Sequence, residues 1–505
     1  MQNVSSHTEA SAPAAEISGL HLQFPRQVAR LFRNLSLKIR RNENTLLLGP
    51  SGSGKSTLLK VLTGLIPEVI EMPLRCEHCS TFDNWGYVFQ DPDSQFCMPF
   101  VDEEIAFVLE NRALPTEDMP EFILHYLNLV GLEFDEPHRP IETLSQGQKQ
   151  RLALASALAL EPETLVLDEP TALLDPGGTE MIWEKVRGLS EDKTLLIVEH
   201  KIEEMIDFID RVLVLDDQGQ LIIDASPDQI SQKHQYLLDQ YGIWHTRSWP
   251  NYDSKRSNRL KLSENSTDNK NPQPVLKIDH LEGYRDETKR LEMPALDIYP
   301  GEWIALTGPN GAGKSTLLLA LMQLIDQKGD VLFCGENVES TEQVAADIGF
   351  VFQNPELQFV AQSAREEVIF TLHQQCPEIN GSEVPRRSRE TLKQYGLHKV
   401  AAQNPYQLST GQQRRLSIAA TTVKKRKLLL LDEPTFGQDA VNTFAILEQL
   451  EKYRQSGTAI LMATHDLAIV QRFATRWWKI ADGKLKFDRP GQRLENSRTE
   501  DIHAI

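Results

Sequence analysis

The chain has 505 residues, 40% of them hydrophobic and 25% charged, which is too long for one core and suits two or more globular units. A formal charge of −19, from 53 Lys and Arg against 72 Asp and Glu, excludes a general attraction to nucleic acid or acidic lipid headgroups. Five scattered cysteines exclude a disulfide framework, and no apolar run reaches the roughly 18 residues that a membrane span needs.

In chain order, residues 1–15 are polar where a secretory leader would be apolar, so they are expected to be a disordered terminus on a cytoplasmic protein. Residues 16–235 read as a first α/β domain. Phe24 closes one of its early β-like segments, where an aromatic ring either stacks on a base or fills core. A loop GPSGSGKST follows: Gly49, Pro50, Ser51, Gly52, Ser53, Gly54, Lys55, Ser56 and Thr57. Cys76-Glu77-His78-Cys79 is either half a zinc site or a pair of free thiols, with no second pair nearby. Then come FQDPDSQF (Phe89 to Phe96), a polar helix-rich stretch ending in LSQGQKQR (Leu144 to Arg151), and TLVLDEP (Thr164 to Pro170). The last is a short apolar run of the kind buried on both faces of a parallel sheet.

Residues 236–274 turn polar and rich in turn formers, and are predicted to be a flexible linker. Residues 275–490 then repeat the whole set. Tyr284 takes the place of Phe24, and GPNGAGKST supplies Gly308, Pro309, Asn310, Gly311, Ala312, Gly313, Lys314, Ser315 and Thr316. FQNPELQF, LSTGQQRR and LLLLDEP follow in the same order at nearly constant offset, which marks a duplicated domain, and residues 491–505 are expected to be a disordered tail.

The chemistry follows from residue types. A G-x-x-x-x-G-K-[ST] loop between strand and helix turns successive backbone N–H groups into one concavity and adds the field of a helix N-terminus, which suits phosphate. Lys55 and Lys314 would reach the β and γ phosphates, and the Ser56 and Ser315 hydroxyls would reach Mg²⁺. Asp168 and Asp432, at strand ends, are hard oxygen donors for the same ion. The adjoining Glu169 and Glu433 are placed to orient and deprotonate an attacking water. ATP and Mg²⁺ are therefore the expected ligands.

LSQGQKQR and LSTGQQRR resemble the signature segment of ATP-binding-cassette (ABC) ATPases, and the likeness covers nearly all of both halves. It implies two P-loop NTPase domains of α/β class, each with a parallel-sheet core, an N-terminal antiparallel β portion and a helical subdomain. It further implies that Ser145, Gly147 and Gln148, with Ser409, Gly411 and Gln412, contact nucleotide held by the opposite domain, so that the halves form an intramolecular pseudo-dimer. The family's third signature residue is usually Gly; here Gln146 and Thr410 stand there. By the same resemblance Gln90 and Gln353 touch Mg²⁺ or the lytic water, His200 and His465 are switch histidines, and Asp175 and Asp439 end the segment at the domain interface.

The glutamine segments resemble those of energy-coupling-factor importers, which implies that Asp93 and Glu356 line the groove receiving a transmembrane coupling subunit. That subunit would work with a small substrate-binding membrane protein, and this chain would be peripheral on the cytoplasmic side of the membrane. A fused double ATPase of this layout most resembles those of hydroxymethylpyrimidine (HMP) or thiamine uptake, with metal ions as the other cargo class. The alternative is a soluble tandem-cassette translation factor, for which a long basic linker toward ribosomal RNA is expected and a short polar one is found.

Overall fold

In the computed structural model, residues 12–24, 30–172, 174, 176–260, 273–285, 287–376 and 379–491 are described. Two compact units divide between Ser248 and Trp249, with Asp439–Val441 grouped with the first.

The strands of the first unit are β1 (Ala15–Gln23), β2 (Arg30–Ile39), β3 (Asn44–Leu48), β4 (Leu74–Arg75), β5 (His78–Ser80), β6 (Trp85–Val88), β7 (Thr164–Asp168), β8 (Thr194–Val198), β9 (Arg211–Leu215) and β10 (Leu221–Ala225). β1 pairs antiparallel with β2, β4 and β5, forming the expected N-terminal β portion. The other sheet runs β10-β9-β3-β8-β7-β6, parallel except for β10 at the edge. Every residue of β3, β7, β8 and β9 is buried, which is why the middle of each segment is apolar. Helices Val101–Asn111, Met119–Leu129 and Gln146–Leu158 supply the helical subdomain.

The second unit repeats the plan with β11 (Leu276–Arg285), β12 (Thr288–Met293), β13 (Leu296–Ile298), β14 (Trp303–Thr307), β15 (Gln327–Phe333), β16 (Glu336–Asn337), β17 (Ile348–Val351), β18 (Leu428–Asp432), β19 (Ala459–Ala463), β20 (Arg476–Ala481) and β21 (Lys484–Pro490). Its parallel core is β20-β14-β19-β18-β17 with β21 antiparallel at the β20 edge, and one pairing, Glu292 on β12 with Lys484 on β21, joins the antiparallel portion to it. Helices Ala364–Gln375, Val384–Gln394 and Thr410–Thr422 match the three of the first unit.

The order β3-β8-β7-β6 positions the chemistry. Parallel strands end on one edge, so the loop after β3, His200 after β8, Glu169 after β7 and Gln90 after β6 emerge side by side. The order β14-β19-β18-β17 does the same for the loop after β14, His465, Glu433 and Gln353.

The expected flexible linker is helical over much of its length. Gln235–Tyr241 and Ser248–Leu260 are helices, and the second belongs to the second unit. Tyr252 stacks on Phe444 at 4.4 Å, Trp249 meets the same ring edge-on at 5.0 Å, and Asp253 pairs with Arg472 at 2.8 Å. Two aromatics three positions apart share one helix face, and that face outweighs the polar residues around it. Residues 261–272 and both predicted disordered ends, apart from 12–15 and Gly491, lie outside the described residues. Cys76 and Cys79 are free thiols on the β4 and β5 edge, and no group of three metal-ligating side chains forms there. Among the described residues no helix is long and apolar enough to cross a membrane.

Candidate active site

Each phosphate loop closes around its own lysine. Lys55 Nζ donates to the Gly49 and Pro50 carbonyls at 2.9 and 3.3 Å; Lys314 Nζ does the same to Gly308 and Pro309 at 2.7 and 3.1 Å. Both lysines are buried, and burial pulls the Lys55 pKa below its ordinary value against the opposing pull of Glu169 and Asp168. Gly54 and Gly313, at φ 96° and 106°, make the left-handed turn that starts the helices Lys55–Leu62 and Lys314–Leu321. A side chain at Gly54 would strike the Phe32 ring at 2.9 Å. Ser53 Oγ is buried in the first loop without a hydrogen-bond partner.

At the end of β7, Ser56 Oγ donates to Asp168 Oδ1 at 2.9 Å and the Tyr87 hydroxyl donates to Oδ2 at 3.0 Å. Burial, reinforced by Glu169, pushes the Asp168 carboxyl up to about 6. A hydroxyl and a carboxylate converging at one strand end form a hard-oxygen donor set that fits Mg²⁺. Glu169 stands at φ 50°, a left-handed backbone that a non-glycine residue adopts at a cost, and its N–H donates to the Val198 carbonyl. Gln90 Nε2 donates to Glu169 Oε2 at 2.7 Å, and His200 Nε2 lies 2.9 Å from Oε1. Burial raises the Glu169 pKa, but His200 and Lys55 outweigh it and hold the carboxyl at about 2.

Glu433 copies the backbone and not the partners. It too stands at φ 50°, yet His465 Nε2 is 3.2 Å from Oε1 without hydrogen-bond alignment, and the Gln353 side chain is exposed. Buried Arg414 donates instead to the backbone carbonyls of Gln353, at 2.8 Å, and of Glu433. Burial, partly offset by Lys314, pushes Glu433 up to about 7. Asp432 is likewise raised by burial, and Ser315 hydrogen-bonds it.

The glutamine segments lean on the signature helices. Ser145 and Gln148 cap each other at the start of Gln146–Leu158, as Ser409 and Gln412 do at the start of Thr410–Thr422. Lys149 pairs with Asp93 at 2.6 Å, and in the matching place Gln413 Nε2 donates to Glu356 Oε1 at 3.1 Å. Gly147 is half-buried and Gly411 buried.

A family model described as ABC transporter matches residues 32–172 and 291–436, which span both phosphate loops, both signature helices and both Asp-Glu strands. The chain belongs to the ABC transporter family. A Bacillus subtilis (strain 168) protein with the provisional name HMP/thiamine import ATP-binding protein is 35% identical, over 93% of this chain and 90% of that one. A Methanosarcina mazei protein provisionally named ABC transporter ATP-binding protein is 33% identical, over 93% and 88%. Among solved structures, a chain from the complex of an archaeal ribosomal stalk protein with an archaeal ribosome recycling factor aligns with a TM-score of 0.59 at 19% identity, covering 94% of this chain and 90% of that one. At that identity the likeness is one of fold. As an ABC ATPase the chain binds ATP with Mg²⁺, and the family supports ATP hydrolysis.

Within this ABC chain the remaining expected residues are less closely gathered. Phe24 is half-buried just past β1. The Tyr284 hydroxyl donates to Glu282 at 2.6 Å and Lys328 lies over its ring at 5.1 Å, while the adjoining Gly283 approaches Thr316. Asp439 is buried, and Asp175 lies outside the described residues.

Other residues that hold the site together carry no motif. Gln95 and Gln358 fasten each glutamine segment to its signature helix, through Ala153 O at 3.0 Å and Ser417 Oγ at 2.6 Å. Buried Glu104 and Glu367 accept the backbone N–H groups of Cys97 and Met98, and of Val360 and Ala361, at 2.9 to 3.0 Å. The duplication was the available signal, since each pair recurs in register.

Proposed function

We propose that this protein is the ATP-hydrolysing, energy-coupling subunit of an ABC importer of the energy-coupling-factor type. Glu169 and Glu433 are the general bases, Ser56, Gln90 and Asp168 with Ser315, Gln353 and Asp432 hold Mg²⁺, and His200 and His465 sense the γ-phosphate. Pairing of each phosphate loop with the opposite signature segment is part of the proposal and rests on family resemblance.

The observation that carries the coupling role is the shortness of the glutamine segment. Gln90 touches Glu169, and three residues on, Asp93 sits at the surface against Lys149. A partner pressing on Asp93 has a path of one short turn to the catalytic carboxylate. In the second unit, Leu357, Val360 and Tyr406 surround Glu356 at 71%, 66% and 53% exposure. Exposed apolar side chains on one short segment, with the Tyr406 ring brought beside them from Pro405–Gln407, suit a partner helix. The corresponding Ser94, Cys97 and Glu142 are exposed and polar, so the two surfaces suit different segments of a membrane subunit.

The name of the Bacillus subtilis relative supports HMP or thiamine as cargo, with a metal ion as the other class, and a peripheral site on the cytoplasmic face follows from the coupling role. The test is to capture the tagged protein from gently solubilised host membranes and identify what accompanies it. A multi-helix membrane protein with a small substrate-binding membrane protein is the expected outcome; ribosomes without either would instead support the translation-factor reading. Replacing Asp93 and Glu356 with Ala should weaken that capture and leave ATP affinity unchanged.

A further inference from the structure

Glu199 lies between β8 and His200, only 7% exposed, and has no part in the roles assigned above. Thr171, two residues beyond Glu169, donates to its Oε1 from both hydroxyl and backbone N–H, at 2.6 and 3.3 Å. The His200 N–H donates to the other carboxylate oxygen at 3.2 Å. One side chain therefore ties the turn carrying Glu169 to the turn carrying His200, where the two catalytic side chains meet at 2.9 Å.

The second unit lacks this tie. The register pairs Asp168 with Val198 and Asp432 with Ala463, so Thr464 stands where Glu199 does. Its hydroxyl accepts from its own turn, the Asp466 N–H at 3.1 Å, and there the His465 ring misses hydrogen-bond alignment with Glu433 Oε1.

We propose that Glu199 is a positioning residue of the first site, one that sets His200 against Glu169 by clamping the turns after β7 and β8 together. The proposal rests on the reading of Glu169 as the base. Burial pushes the Glu199 carboxyl up to about 7, against the hydrogen bond from Thr171, and the three donors aimed at it explain how a carboxylate persists there.

The test uses full-length protein in a Glu433→Gln background, so that turnover reports the first site. Glu169→Gln in that background should cut the remaining turnover by about 10²-fold or more; undiminished turnover at this step overturns the base assignment and leaves Glu199 to be judged in the wild-type protein by the same variants. Glu199→Thr, which copies the second unit, should lower kcat roughly tenfold with KM for ATP within about twofold, because misplaced catalytic groups slow chemistry more than binding. Glu199→Gln keeps an acceptor for Thr171 and should fall between Glu199→Thr and the parent. Unchanged kcat in Glu199→Thr overturns the proposal. So does a loss that appears in KM, or one equal in Glu199→Thr and Glu199→Gln and matched by a drop in Tm, since those mark a merely structural residue. If Glu199→Thr does not fold, Glu199→Gln alone decides by the split between kcat and KM.

Discussion

In the first unit Glu169, the proposed base, takes a hydrogen bond from Gln90 and faces His200 at 2.9 Å; in the second the same backbone turn leaves Glu433 Oε1 without a hydrogen bond, and Arg414 is bonded to carbonyls around it. The motif letters agree between the halves, yet one carboxyl sits at about 2 and the other at about 7. The difference comes from the histidines: the His200 ring pairs with Glu169 and lowers its pKa, whereas the His465 ring misses hydrogen-bond alignment with Glu433. Behind the motifs the halves differ as well. Gln150 stands where Arg414 does, Tyr87 where Phe350 does, and Glu199 where Thr464 does. Two sites that share a motif thus place the group expected to take the proton in different surroundings, and unequal acid limbs are the expected outcome.

The broadest test of the comparison is to remove both glutamates. Glu169→Gln with Glu433→Gln should cut steady-state turnover by about 10²- to 10⁴-fold while nucleotide binding by equilibrium titration stays intact. Turnover that survives would show that neither carboxylate is the base.

Arg414→Ala comes next. It leaves one buried and one half-buried carbonyl without a donor and should cost about 2–3 kcal/mol in denaturant unfolding of the second unit, and the corresponding Gln150→Ala should cost less.

The pH profiles of the single glutamine variants sharpen the comparison further. A carboxylate base works when ionised, so activity is lost as pH falls through its pKa. Glu169→Gln protein, relying on Glu433, should lose activity as pH drops through about 7, whereas Glu433→Gln protein, relying on Glu169, should hold its rate through that range. Bound Mg²⁺ lowers both limbs, so the order of the two is the diagnostic result. Coincident acid limbs would contradict the assigned difference.

The smallest effect belongs to Tyr87→Phe, which gives Asp168 the surroundings of Asp432. Loss of one hydroxyl donor should shift stability by about 0.5–1.5 kcal/mol and weaken Mg²⁺-dependent nucleotide binding only a few-fold.

Fold class and duplication were legible because they rest on redundant signals: glycine loops, apolar strands such as TLVLDEP and LLLLDEP, and an order repeated in both halves. The register of the parallel strands then determines which strand ends are neighbours, and that is not written in any single segment. Glu199 and Tyr87 are single polar letters that gain meaning only once β8 lies beside β7 and β6 beside it. Gln95, Glu104 and Glu367 were hidden for the same reason, their bonds being to backbone that has no sequence signature, and Gln358 because the Ser417 hydroxyl it meets is 59 residues away. The helix Ser248–Leu260 was masked by composition, since Trp249 and Tyr252 are two apolar residues in a polar stretch.

That helix also decides where the chain can be cut. A second half begun at residue 275 would leave Phe444 without the two rings that cover it, an exposed aromatic seat that invites aggregation. Begun at residue 248, it would carry its own lid. What reads as a spacer is a plug, and any dissection, circular permutation or domain exchange has to travel with it.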